Sequence, residues 1–198
     1  MSAEDRYAGL RRHSAETNAL VKSCLKTALF SLMKEKSSKE LSVAGLCRRA
    51  GVSRMAFYRN YGVIDDLFRE AAEDLSGEIL RAAGSPFRRG TGQGWYEQAF
   101  RLTREHRDEV AVMLSEEFQF AWMKVVNAMA LHDPSFSAEK RIQRLIWCGG
   151  FENIVAHWLS HGMAEPPEEM AAYCVRYLPV IVAGDEPEAP LQPGVLDV

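Results

Sequence analysis

The chain has 198 residues, enough for one large or two small domains, and its 47% hydrophobic and 26% charged residues exclude a largely disordered protein. Its net charge of −3 hides a split: up to Gly62 there are 12 Lys/Arg against 5 Asp/Glu, a net of +7, and from Val63 onward 12 against 22, a net of −10. A basic end on an acidic body suits a polyanion met at one end only.

Apolar periodicity predicts helix nearly throughout, with no strand-like alternation. The expected fold is all-α with about nine helices: a three-helix N-terminal helix-turn-helix domain and a C-terminal helical bundle. The first residues, with Glu4, Asp5, Arg6, Arg11, Arg12 and His13, are too polar for a secretory leader and read as a loose arm to about Ser14. A helix is predicted over 15–36 from the spacing of Val21, Leu25, Ala28, Leu29, Leu32 and Met33. Ser42 then offers an N-cap, and a short helix runs to about Arg49. Gly51 permits the left-handed backbone of a sharp turn. Ser53 is a second N-cap and opens a helix to about Asn60. A third helix runs from about Val63 to Ala83, with Asp65 and Asp66 at the positive end of its dipole.

Residues 84–94 hold four glycines and a proline and read as a flexible loop or linker. Further helices are predicted over 95–105, 108–131, 137–161 and 167–182. The longest uncharged apolar stretch near the end, Tyr177 to Ala183, is too short to span a bilayer, so the expectation is a cytoplasmic protein that meets no membrane. The tail, 184–198, carries four acids and three prolines and reads as disordered. Cys24, Cys47, Cys148 and Cys174 are widely spaced without a C-x-x-C pair, which favours buried thiols over a disulfide or zinc site.

Two short capped helices joined through a glycine form a helix-turn-helix pattern over Ser42–Tyr61. Val43, Leu46, Cys47, Val52, Phe57 and Tyr61 supply the inward faces. Arg54, Met55, Tyr58 and Arg59 are left outward on the second helix. The start of such a helix can meet base edges in the major groove, and an arginine there can pair with guanine O6 and N7. Tyr58, Arg59 and Asn60 are placed for phosphates or a thymine methyl.

Lys22 to Leu67 resembles the DNA-binding domain of the TetR family of regulators. The residues that carry the likeness are Leu32 and Met33, then Leu41, Ser42 and Val43, then Leu46 and Cys47. Ala50, Gly51, Val52 and Ser53 follow, then the run Phe57, Tyr58, Arg59, Asn60 and Tyr61, with Asn60 where the family has histidine, and finally Asp65, Asp66 and Leu67. The resemblance implies a homodimeric, sequence-specific transcription regulator, usually a repressor released from a pseudo-palindromic operator by a small molecule. Double-stranded DNA would be met by Ser42, Val43, Ser53, Arg54, Met55, Ala56, Tyr58, Arg59 and Asn60. Residues 1–62 are then the arm and DNA-binding domain, 63–83 a connecting helix, and 95–183 an effector-binding and dimerisation domain. One departure stands out: the family lysine that meets a phosphate at the start of the connecting helix is Ile64 here, preceded by Val63. Backbone N–H groups at that helix start can still hold a phosphate, and Arg59, Arg48 or Lys39 can compensate.

In the C-terminal half, Trp95, Phe100, Met113, Phe118, Trp122, Trp147 and Phe151 form the expected pocket for an apolar or aromatic effector, against the alternative of plain core. Glycine inside a helix costs roughly 1 kcal/mol relative to alanine, so Gly149 and Gly150 point to a close helix approach. With Ile154, Trp158, Tyr173 and Tyr177 they make the expected dimer interface. His157 and His161 share a helix face, but no third metal ligand stands out, so no metal is expected. No nucleophile–base–acid set and no phosphate-binding glycine loop is recognisable, so neither catalysis nor a cofactor is expected. The competing reading is an interaction protein of the same fold with weakened DNA contacts at Val63 and Ile64, acting by pairing with another regulator.

Overall fold

The computed structural model describes residues 3–87 and 92–178, with side chains from Arg11 onward, Arg12 excepted. Among them the chain is all-α. The helices are α1 (Ala3–Met33), α2 (Val43–Ala50), α3 (Arg54–Tyr58), α4 (Ile64–Ala83), α5 (Gln93–Glu105), α6 (Arg107–Met113), α7 (Gln119–Ala130), α8 (Ala138–Ser160) and α9 (Pro167–Tyr177), with one 3-10 turn at Ser38–Glu40. No helix among the described residues is long and apolar enough to cross a membrane. Residues 179–182 of the expected last helix, residue 183, the tail 184–198 and residues 88–91 of the glycine-rich stretch lie outside the described residues. The chain divides into two units, Met1–Ala71 and Ala72–Val198. The division falls inside α4.

In the N-terminal unit α1 begins at Ala3, so the segment expected to be a loose arm is helical. Ala3, Glu4, Arg6, Ala8 and Leu10 are mostly good helix formers, and no glycine or proline precedes residue 14 except Gly9. α1, α2, α3 and the first two turns of α4 enclose a small core of Leu25, Leu29, Leu46, Phe57, Leu67 and Ala71, all buried. Phe57 is central, with edge-on contacts to Tyr58 at 5.3 Å and a tilted contact to Tyr61 at 5.7 Å. Lys22 and Lys26 of α1 both reach Glu70 of α4, at 2.8 and 2.6 Å. Burial opposes ionisation of Glu70, but the two ammonium groups outweigh it and hold its pKa below the ordinary value.

In the C-terminal unit α5 packs along α9, while α6 and α7 pack on α8. The single helix expected over 108–131 is broken between Met113 and Gln119. Met113, Phe118, Trp122 and Val125 are all buried. In an unbroken helix Phe118 would point about 140° away from Met113, so the turn restores both to the core. Ser115 makes the break: its hydroxyl donates to the Val112 carbonyl at 2.7 Å, and its own carbonyl accepts from Gln119 N at 2.8 Å. α9 ends at Tyr177, earlier than the expected residue 182. Leu178 turns to extended backbone (ψ 135°) because Pro179 follows it, and a residue before proline is disfavoured in the helical region.

Candidate nucleic-acid interface and interior cavity

The turn between α2 and α3 is built from short-range bonds. Ser42 Oγ accepts from Gly45 N at 3.2 Å and Ser53 Oγ accepts from Ala56 N at 3.1 Å, so each serine closes the first turn of its helix. Gly51 sits at φ 68°, and the chain leaves α2 through its N–H to the Arg48 and Cys47 carbonyls. A side chain at this φ is strained, which is why glycine stands there. Burying Phe57 on one side of α3 puts Arg54, Met55, Tyr58 and Arg59 on the other. Met55 is 74% exposed and Tyr58 56% exposed, although both are largely apolar. Val43, Ala56 and Asn60 are half-buried. Asn60 donates its side-chain amide to the Ala56 carbonyl at 2.9 Å and thereby ends α3. Arg49 is committed within the unit: it forms a two-pronged pair with Glu35 at 2.8 and 2.6 Å and also meets Ser31 Oγ. That pairing holds the Glu35 carboxyl below its usual pKa.

The start of α4 differs from the expectation of a phosphate held on backbone N–H groups. Asp66 Oδ2 accepts from Gly62 N at 3.0 Å and Val63 N at 3.1 Å. Its other oxygen pairs with Arg69 at 2.6 Å. The negative charge that the helix end attracts is therefore supplied by the chain itself. A phosphate brought to Gly62 and Val63 would meet a carboxylate already in place.

The C-terminal unit holds a cavity of about 130 Å³ bounded by residues of α4 to α8 and the α4–α5 connection. An engineered apolar cavity of about 150 Å³ is large enough for benzene, so this one has room for the body of a small organic molecule. α8 lines it with one stripe: Arg144, Trp147, Cys148, Phe151, Glu152 and Val155. These lie at i, i+3, i+4, i+7, i+8 and i+11, one face of a helix. Of the seven expected pocket residues, Trp95, Trp122, Trp147 and Phe151 line the cavity. Phe100, Met113 and Phe118 are buried elsewhere in the core; Phe100 packs edge-on against Trp158 at 5.1 Å and Phe151 at 5.6 Å.

The cavity wall is an aromatic cluster. Trp147 and Phe151 stack at 5.1 Å, and Trp95 stands edge-on to both, at 5.4 and 5.5 Å. Both indole N–H groups are used: Trp147 donates to Tyr96 Oη at 2.9 Å and Trp95 to the Gly84 carbonyl at 2.8 Å. Phe87 is buried against Trp147 at 5.2 Å, so the described start of the glycine-rich stretch is part of the wall and not a free linker.

Three polar groups in this wall went unnoticed in the sequence. Arg144 is 1% exposed, with its guanidinium between the rings of Phe87 and Phe136 at 4.1 and 4.2 Å and Nη1 donating to the Ala130 carbonyl at 2.8 Å. Ser76 Oγ and Glu152 Oε1 are buried with no hydrogen-bond partner among the described residues. Burial pushes the Glu152 carboxyl up to about 7. Arg144 and Glu152 could have been found by noting charged residues inside an otherwise apolar helix face. Burial likewise pushes Cys148 and Cys174 up to about 12, which leaves them as inert thiols.

The residues expected at a dimer interface separate. Tyr173 and Tyr177 are exposed on α9, and Ile154 is half-buried on α8. Trp158 is a correction: it is fully buried in its own unit, where its indole N–H donates to the Glu165 carbonyl at 3.0 Å. Gly150 is used within the chain, since a Cβ there would lie 2.8 Å from Leu178 Cδ2, whereas a Cβ at Gly149 would meet nothing within 4 Å. Ile142 and Ile146, both exposed on α8, extend the apolar surface and were missed. Their signal was an i, i+4 pair out of phase with the Trp147–Phe151 stripe. His157 and His161 have ring centroids 4.0 Å apart, and His161 Nδ1 lies 2.8 Å from the His157 carbonyl oxygen. No group of three metal-ligating side chains is placed for a metal among the described residues.

No family model and no curated protein matches the chain. Among solved structures, the one described as "Dihydroxyacetone kinase operon activator DhaS" is similar in fold, with a TM-score of 0.51 and 16% sequence identity over 80% of this chain and 93% of that one. At that identity the likeness is one of fold.

Proposed function

We propose that the chain is a sequence-specific DNA-binding transcription regulator of the TetR type. The observation that carries this reading is the α2–α3 turn, which fixes α3 on a buried Phe57 and turns Arg54, Met55, Tyr58 and Arg59 outward together. A short helix with a guanidinium at its start, another just past its end and the exposed surfaces of Met55 and Tyr58 between them suits the major groove, where guanine offers two acceptors and thymine a methyl group. The fold it shares with a protein named as an operon activator supports a regulator; the sequence resemblance favours release of DNA on effector binding, hence a repressor. The effector occupies the aromatic cavity of the C-terminal unit. α4 is one continuous helix whose first turns belong to the DNA-binding unit and whose later residues, Ser76, Ile79 and Leu80, line that cavity.

The active form is a homodimer formed through the exposed faces of α8 and α9. Ile142, Ile146, Tyr173 and Tyr177 are large apolar side chains left in water on those two helices, a pattern that marks association surfaces. Two-fold symmetry of the dimer then calls for an inverted-repeat operator.

A second reading has one observation in its favour. The Asp66 carboxylate at the start of α4 stands where a phosphate contact is expected, which weakens DNA binding and suits an interaction protein that pairs with another regulator. Selection of bound fragments from random duplex DNA separates the two. Enrichment of an inverted repeat by the wild-type chain is expected. A folded dimer that enriches nothing at low salt would leave the interaction protein as the better account.

A further inference from the structure

We infer that the cavity of the C-terminal unit takes an aromatic amine, whose ring lies against Trp147 and Phe151 and whose protonated nitrogen is held by Glu152 and Ser76. This rests on the effector part of the reading above and names the chemistry of the molecule bound.

The polar groups of the cavity lining differ in whether their hydrogen-bonding capacity is already used. The indole N–H groups of Trp95 and Trp147 are already donated to Gly84 and Tyr96, so these two side chains offer a ligand only ring surface. The guanidinium of Arg144 is built into the wall: two aromatic rings cover its faces and Nη1 is on the Ala130 carbonyl. His132 keeps Nδ1 3.0 Å from the Met129 carbonyl. Among the acceptors on the cavity lining, Glu152 Oε1 and Ser76 Oγ are buried without a hydrogen-bond partner among the described residues.

A buried carboxyl oxygen without a partner costs free energy that a bound donor returns. A carboxylate accepts only, and a serine hydroxyl can accept as well as donate, so a donor with more than one proton can satisfy both oxygens at once. An ammonium fits this, whereas a carboxylate ligand would face the like charge of Glu152. The ring faces of Trp95, Trp147 and Phe151 also favour a cation over an anion, because the quadrupole of an aromatic face is negative. Glu152 lies eight residues from Arg144 on α8, about 12 Å along the helix, so a cation at Glu152 is held away from the guanidinium. The raised pKa of Glu152 agrees with a carboxyl that lacks its counter-charge in the free protein.

Three probes of one shape test this on the full-length protein by calorimetric titration: 2-phenylethylamine, 2-phenylethanol and phenylacetate. Titration to about 10 mM covers the affinity a nine-atom ligand reaches at ordinary efficiency. The amine is expected to bind about ten- to a hundredfold more tightly than the alcohol, the range of a charge-assisted hydrogen bond, and phenylacetate most weakly. Glu152→Gln is expected to remove the amine's advantage and leave the alcohol unchanged; Ser76→Ala weakens the amine by a smaller factor. Equal affinity for amine and alcohol, a preference for phenylacetate, no binding of any probe, or an amine affinity unchanged in folded Glu152→Gln overturns the inference. The comparison of the three probes on the wild-type protein decides even if the variant does not fold. The titration contains no DNA, so its outcome is separate from the fate of the regulator reading, which the duplex selection decides.

Discussion

The two units of this chain treat their polar side chains in opposite ways. In the N-terminal unit, polar groups are tied into local structure: Ser42 and Ser53 cap helices, Asn60 ends α3, Asp66 closes the start of α4, and Arg49 is fastened to Glu35. What is left outward on α3 is a small set of side chains, Arg54, Met55, Tyr58 and Arg59, held by a rigid frame. The C-terminal unit ties up the indole N–H groups of Trp95, Trp147 and Trp158 but, among the described residues, keeps Glu152 Oε1 and Ser76 Oγ buried without hydrogen-bond partners beside a cavity. One unit presents its unspent polarity on a surface, as suits a large partner; the other keeps it inside, as suits a small one.

The difference can be tested by substitution, beginning with the largest effect. Phe57→Ala removes the fully buried ring under α3 and is expected to cost about 3–5 kcal/mol in urea unfolding; a loss below about 1 kcal/mol would mean the frame is not rigid in the way described. The buried carboxyl of the other unit gives a pH signature. Its folded pKa of about 7 lies above the ordinary 4.5, so the folded state keeps a proton that the unfolded state loses. Stability from this group is therefore whole below pH 4.5 and falls as pH rises to about 7, by on the order of 2–3 kcal/mol. Glu152→Gln should flatten that stretch of the profile, and a wild-type profile already flat there would contradict the burial of Glu152.

Smaller effects sharpen the other side. Arg54→Ala is expected to weaken binding of a selected duplex by about 1–3 kcal/mol and relax its sequence preference. Arg59→Ala should weaken all duplexes alike and lower the salt slope by about one. Ser53→Ala loses a helix cap and about 1 kcal/mol of stability. The smallest expected change separates the two neighbouring glycines of α8. Gly149→Ala meets open space and should stabilise the isolated chain by about 0.5–1 kcal/mol while weakening self-association, since Gly149 faces the proposed dimer partner. Gly150→Ala meets Leu178 at 2.8 Å and should lose that gain. Equal stabilisation by both, with self-association unchanged, would remove Gly149 from the interface.

The N-terminal unit was readable from its sequence because its decisive bonds span three or four residues. A serine before an apolar helix, a glycine at the end of the next, and a second serine specify the α2–α3 turn almost alone. The C-terminal unit was legible as helices, and its pocket only in part: Trp95, Trp122, Trp147 and Phe151 line the cavity, but its polar groups were not foreseen. The break at Ser115 depends on bringing both Met113 and Phe118 to one core, which no local rule states. The purpose of Gly150 lies 28 positions away at Leu178, and the burial of Trp158 against Phe100 joins α8 to α5. Glu152 and Arg144 looked like ordinary charged residues until α8 was seen to bury that face. Three of the expected pocket aromatics and sulfurs, Phe100, Met113 and Phe118, fill core instead, because composition does not say which bulky side chains enclose a space and which fill it.

The most direct test of the central claim is the affinity of the purified protein for a duplex it has itself selected, measured by fluorescence anisotropy across a salt series, beside the double variant Arg54→Ala, Tyr58→Ala. Both side chains are exposed, so the variant should keep the helical content and unfolding midpoint of the wild type. The account predicts tight, salt-dependent binding by the wild type and at least about a hundredfold loss in the variant on that duplex, with a much smaller loss on random duplex. Equal binding of the selected duplex by both proteins would contradict the assignment of α3 as the reading helix.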